Sequence, residues 1–185
     1  HSPSLHGLVW SHVGWIFSRH STPWDAREVR DWDRYPELAW LSRWHMIVPL
    51  VLALSLYAGG EILAGAFPAL GTSGLQMLAW GFFVSTVLLY HGTFTINSLA
   101  HVIGYRTFRT KDDSRNNWFL ALLTLGEGWH NNHHRYPASE RQGFFWWEFD
   151  ITHWVLKALS MVGIVWGLKE PPQHLFEEAR RGVSA

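Results

Sequence analysis

Residues 44–105 read WHMIVPLVLALSLYAGGEILAGAFPALGTSGLQMLAWGFFVSTVLLYHGTFTINSLAHVIGY. None of the chain's 15 Lys and Arg falls in this block, and Glu61 is its single acidic residue. A helix that crosses a bilayer needs about 20 mostly apolar residues. The block therefore has room for two spans and a short turn, expected at roughly 45–66 and 75–100. The turn, Phe67-Pro68-Ala69-Leu70-Gly71-Thr72-Ser73-Gly74, carries Pro and Gly breakers and no cation. Cations crowd the flanks: Arg19, Arg27, Arg30, Arg34 and Arg43 before, Arg106, Arg109, Lys111 and Arg115 after. The positive-inside rule then puts the turn outside and both flanks in the cytoplasm. Glu61 argues against a lipid-facing position, because charge in hydrocarbon is costly; the outer interface or a partner helix would accept it.

The whole-chain averages conceal this pattern. Across 185 residues the formal charge is zero, 48% of residues are hydrophobic and mean hydropathy is −0.05. Neutrality gives no footprint for nucleic acid. The absence of Cys excludes disulfides, thiolate zinc sites and Cys-held iron–sulfur clusters. The expected fold is all-α: an integral-membrane helical hairpin with a cytoplasmic, histidine-bearing helical cap. Residues 1–44 would form one cap segment, 45–101 the hairpin and 102–185 the rest of the cap. Within that cap, 106–117 read as a charged, Asn-rich linker and Trp118–Leu125 as a short helix. Ile151, Trp154, Val155, Ala158, Leu159, Val162, Val165 and Trp166 mark one face of a helix over 151–168. Lys157 in its middle favours a helix lying at the interface over a third span. The tail beyond Pro171-Pro172 is charged and compatible with helix. The start, His1-Ser2-Pro3, has neither initiator Met nor the basic and apolar regions of a signal peptide, so the chain is expected to begin within a longer protein.

The sharpest local motif is His130-Asn131-Asn132-His133-His134. On a helix, positions i, i+3 and i+4 share a face, so three imidazoles can converge on one metal; imidazole suits iron, zinc, copper and nickel alike. With 12 His in 185 residues, such a pattern arises by chance with probability on the order of 0.05. It gains weight from a second cluster. Asn97 and His101, four apart at the end of the second expected span, share a face and lie on the same side of the membrane as the first cluster. His91 falls on another face of that helix and reads as a packing or tunnel-lining residue; His12 reads as structural. His1, His6, His20, His45, His153 and His174 show no ligand spacing.

Together these residues resemble a known family. Asn97-Ser98-Leu99-Ala100-His101, followed by Gly126-Glu127-Gly128-Trp129-His130-Asn131-Asn132-His133-His134-Arg135-Tyr136-Pro137, resembles the membrane acyl-CoA (stearoyl-type, Δ9) fatty acid desaturases. Gly7 to Trp15, with Ser11-His12-Val13-Gly14-Trp15, and Glu148-Phe149-Asp150-Ile151-Thr152 fit two further family segments in the right order. The resemblance implies a di-iron centre whose ligands here are His101, His130, His133 and His134, with Asn97 acting through water. Two more histidine boxes, H-x-x-x-x-H and H-x-x-H-H, belong before the position matching His1, so the resemblance implies an incomplete, C-terminal part of the enzyme, inactive alone. It implies O2-dependent desaturation of a fatty acyl chain on CoA or another acyl carrier, at Δ9, within membrane lipid. Electrons would come from ferredoxin, rubredoxin or a cytochrome b5-type donor. Thr93 and Phe94 match tunnel-lining, substrate-binding positions, and Arg19 matches a basic residue that contacts the CoA phosphates. A histidine-box membrane hydroxylase and a zinc-holding, non-redox membrane protein are the alternative readings.

Overall fold

The computed structural model describes residues 6–18 and 32–182. Among these residues the structure is helical: α1 (Leu8–His12), α2 (Pro36–Arg43), α3 (Ile47–Ala66), α4 (Gly74–Leu78), α5 (Ser85–Asn97), α6 (Trp118–Leu123), α7 (His130–Arg135), α8 (Ile151–Met161) and α9 (Gln173–Gly182). A π-helical stretch, Ala79–Val84, joins α4 to α5, and a 3-10 turn, Leu99–His101, follows. Extended pairing among the described residues is limited to isolated antiparallel bridges of Asn116 with Tyr105 and with Trp129. The all-α expectation holds.

Two helices are long and apolar enough to cross a bilayer: Ile47–Ala66, of 20 residues, and the continuous Gly74–His101, of 28. At 1.5 Å per residue α3 is about 30 Å long, the thickness of a hydrocarbon core. Their apolar side chains are not consumed by internal packing, since Leu54 is 60% and Ile62 69% exposed. A core helix of a water-soluble domain buries such residues. The observed ends match the expected spans to within two residues.

The chain forms two compact units, divided between Tyr90 and His91: 19–90, and 1–18 with 91–185. In the first, α3 and α4 touch at two glycines. A Cβ on Gly60 would lie 2.6 Å from the Ser73 carbonyl oxygen, and one on Gly74 equally close to Glu61 Oε1. Glu61 Oε1 accepts the Gly74 N–H at 2.8 Å. The lone acid of the apolar block therefore satisfies an orphan donor at the start of α4, where the helix dipole also favours negative charge. Ser73 adds an N-cap, accepting from Gln76 N at 3.2 Å.

The second unit has two small apolar clusters. One joins Phe108, Phe144, Leu175 and Ala179; the other joins Ile96, Ala100 and Leu120. Leu175 and Ala179 lie one turn apart on α9, so the charged tail is held by its apolar face. Asn117 caps α6 by accepting from Phe119 N and Leu120 N. Asp150 caps α8 by accepting from His153 N at 2.9 Å. The helix expected over 151–168 ends at Met161 instead. Gly163 takes a left-handed φ of 74°, and N–H groups of Gly163 and Ile164 return to Ser160 and Leu159 carbonyls. Glycine reversal of this kind stops a helix whatever the apolar period beyond it.

Candidate metal centre

The six residues of α7 carry the H-x-x-H-H motif, and its two asparagines explain how so short a helix is held. Asn131 and Asn132 are fully buried. Asn131 Oδ1 accepts the backbone N–H groups of Thr107 (2.9 Å) and Phe108 (2.7 Å), and its Nδ2 donates to the Phe108 carbonyl at 3.1 Å. Asn132 Nδ2 donates to Gln142 O (2.9 Å) and Glu148 Oε2 (2.7 Å). Asn116, also fully buried, accepts from the backbone N–H groups of both asparagines and donates to Asn132 Oδ1 at 2.7 Å. A backbone anchored on one face leaves the other face free for imidazoles.

Glu148 completes the support. Its Oε2 accepts from Phe144 N and Phe145 N as well as Asn132, and its Oε1 accepts from Tyr105 Oη at 3.1 Å. Burial nevertheless raises its pKa. Burial, then the Glu148 charge, also raises the pKa of Tyr105. Asp150 Oδ2 accepts from Gln142 N and Gly143 N, closing the loop after the helix. Trp129 Nε1 donates to Phe149 O at 2.7 Å. Gly128 is required sterically: a Cβ there would sit 2.0 Å from Ala121 N.

On the free face, His130 and His134 meet His101. Each offers a ring nitrogen within 4.8 Å of the others. His101 Nε2 and His130 Nε2 are 3.0 Å apart. Metal–imidazole bonds of about 2.0–2.1 Å at right angles put neighbouring nitrogens about 2.9 Å apart, so this spacing fits one edge of a coordination shell. The Nδ1 atoms of His101 and His130 are buried without a hydrogen-bond partner among the described residues. Burial, then the neighbouring His134, His101 and His133, lowers His130 to a pKa of about 3, and burial lowers His133 as well. Both rings are therefore neutral near pH 7, the form that binds metal. His133 stacks on His130 at 6.0 Å between centroids and lies 5.8 Å from His134, beside the three-nitrogen group.

His134 Nδ1 donates to Asp112 Oδ2 at 2.5 Å. Against the burial that would raise it, hydrogen bonds from Ser114 and His134 hold the Asp112 carboxyl well below the usual range. Reading the sequence missed Asp112, Asn116, Glu148 and the two box asparagines as supports. The Asp112-x-Ser114 turn was a local signal for a fixed carboxylate; its meeting with His134, 22 residues on, has no local signature.

Asn97 ends α5, half-buried, one helical turn before His101. Phe94 packs edge-on against His12 and His91, at 5.7 and 6.2 Å, and Thr93 is exposed one residue before it. His12 and His91, set apart as separate residues by the sequence reading, form a pair. His12 Nε2 is 3.0 Å from His91 Nδ1, and His12 Nδ1 is 2.9 Å from Ser98 Oγ. Arg19 lies outside the described residues. Glu140, His153 and Glu170 form another group of close donors. A contact of His153 Nδ1 with Glu140 (3.0 Å) and an ion pair of Glu170 with Arg141 (3.4 Å) already engage it.

Bilayer-length helices joined to three histidines whose ring nitrogens lie close enough to share a metal define a helical protein that carries a histidine box. A fatty acid desaturase profile matches residues 2–166, and the chain belongs to the fatty acid desaturase family. It is 37% identical over 172 residues to the sn-2 palmitoyl-lipid 9-desaturase of Nostoc sp. (strain 36), covering 90% of this chain and 56% of that protein. It is 36% identical over 171 residues to the sn-1 stearoyl-lipid 9-desaturase of Synechocystis sp. (strain ATCC 27184 / PCC 6803 / Kazusa), covering 90% of this chain and 49% of that one. Against the icosanoyl-CoA 5-desaturase of Limnanthes douglasii it is 34% identical over 177 residues, covering 94% and 46%. The chain thus spans about half the length of the curated relatives it matches.

Proposed function

We propose that this chain contributes a metal-binding histidine set to an integral-membrane desaturase that removes two vicinal hydrogens from a saturated acyl chain. The observation that carries the reading is the convergence of His101, His130 and His134 beside the end of a bilayer-length helix, in a chain of this family. His133, through its adjacent ring, and Asn97, through water, complete this chain's contribution. The metal is iron, in a two-iron centre, and when bound it supplies the O2 chemistry that no side chain here provides. The overall change consumes O2, two electrons and two protons, and yields one double bond and two waters. The electrons come from an external ferredoxin, rubredoxin or cytochrome b5-type donor.

The chain's own residues do the positioning. Asn116, Asn131 and Asn132 hold α7 so that its imidazoles face His101, and burial keeps His130 neutral. Thr93 and Phe94 line the path of the acyl chain, and Arg19 binds a phosphate of the acyl carrier or of a lipid headgroup. Two bacterial relatives act, by name, on lipid-bound chains at position 9, which favours a glycerolipid-bound acyl chain and Δ9. Cation placement around residues 44–105 favours a cytoplasmic histidine cluster.

The test is expression of the full-length protein in a host lacking the activity, with mass spectrometry of its fatty acids. Loss of two hydrogens per chain, with two irons bound per protein, supports the reading. Gain of oxygen would indicate a hydroxylase, and zinc alone would refute a redox role.

A further inference from the structure

We propose that Asp112 is a positioning residue that sets the tautomer of His134 and aims its Nε2 at the metal centre; this rests on the reading of the histidine cluster as a metal site. His130 is held by burial, but the His134 side chain is 31% exposed; its ring meets those of His101 and His130 at 5.4 and 4.3 Å, and ring contact does not set its tautomer. Asp112 does so from a loop 22 residues away in sequence. An ionised carboxylate only accepts, so the hydrogen shared with Asp112 Oδ2 belongs to Nδ1 of His134. In the neutral ring that a metal requires, the lone pair is then on Nε2, the nitrogen left for the cluster. A carboxylate on the far nitrogen also raises the basicity of the imidazole as a ligand.

Asp112 is itself pinned. Its Oδ1 accepts the Ser114 N–H at 2.9 Å and lies 3.1 Å from Thr110 Oγ1. The same loop is tied to α7 through Asn131, which accepts from Thr107 and Phe108. Carboxylate and imidazole are therefore referenced to one buried hub, and their separation cannot drift without breaking it. By contrast, the Nδ1 atoms of His101 and His130 have no partner among the described residues.

The test is a cobalt(II) titration of the full-length protein in detergent, read by ligand-field absorption. D112N, H134A and the double variant are compared with wild type. D112N keeps an amide oxygen for the Ser114 N–H, so the turn survives, but the group facing His134 Nδ1 becomes a donor or a weaker, uncharged acceptor. Expected are a loss of affinity of about 10–100-fold in D112N, an altered spectrum, and a double variant no weaker than H134A. A D112N affinity equal to wild type, or a loss that adds fully to that of H134A, overturns the proposal and leaves the metal site standing. H134A with wild-type affinity overturns the metal role of His134 and this proposal with it. Independently of any variant, 15N imidazole spectra of the metal-free protein should show His134 protonated on Nδ1; protonation on Nε2 would also overturn it.

Discussion

Replacing Asn131 by Ala tests the claim that the asparagines, not the histidines, hold the motif in place. The substitution removes one side chain with no exposed surface. It strands the backbone N–H groups of Thr107 and Phe108, and it removes the donor to the Phe108 carbonyl. Phe108 is 2% exposed, so water does not readily replace the lost acceptor. Each orphaned buried group costs about 1–3 kcal/mol. Two stranded donors give about 2–5 kcal/mol, after allowing for partial solvation at Thr107. For a chain of this size that is a fall in Tm on the order of 10 °C. The assay is thermal unfolding in detergent followed by tryptophan fluorescence, with cobalt(II) affinity measured in parallel. Affinity should fall although no imidazole has been touched. A Tm within about 2 °C of wild type, with unchanged affinity, would refute the reasoning.

Glu148→Gln should leave Tm unchanged or higher at pH 7, because an amide oxygen can replace Oε2 while the cost of a buried charge disappears; Glu148→Ala should lower the unfolding free energy by about 2–4 kcal/mol. Glu178, paired with Arg135 Nε at 2.9 Å, has its pKa lowered chiefly by that hydrogen bond. A depressed carboxylate contributes stability above its unfolded value, so the advantage of wild type over E178Q should be full above about pH 5 and be lost as pH falls through the depressed folded-state pKa. Gly60→Ala should weaken the α3–α4 contact, because its Cβ would meet backbone at 2.6–2.9 Å; a lowered thermal midpoint in detergent would show it. These 185 residues contain no Cys, so cysteines introduced into them, compared with the unsubstituted protein as background, report topology: T72C should react with an impermeant thiol reagent from outside, and R109C only after permeabilisation.

The parts of the protein legible in the sequence are those governed by local rules. Two bilayer-length helices follow from where the charges are absent, since a long uncharged run has few other stable uses. The histidine spacing on α7 follows from helical periodicity. The apolar period beyond Met161 misled because a left-handed glycine overrides amphipathicity. Glu61 looked like an objection to a membrane span until its partner was known. Whether a lone acid is a liability depends on which donor it meets, and the Gly74 N–H is 13 residues away.

By itself, then, the sequence determined which residues can face lipid and which can ligate metal, because both depend on residue type and short-range spacing. Only the tertiary structure decided which of the histidines actually meet. It joined His101 to His130 and His134, left His133 beside them, and paired His12 with His91. It also assigned the box asparagines, Glu148 and Asp112 their supporting roles. Those contacts depend on hydrogen bonds between segments far apart in the chain, and no local pattern encodes the distance at which such segments come to rest.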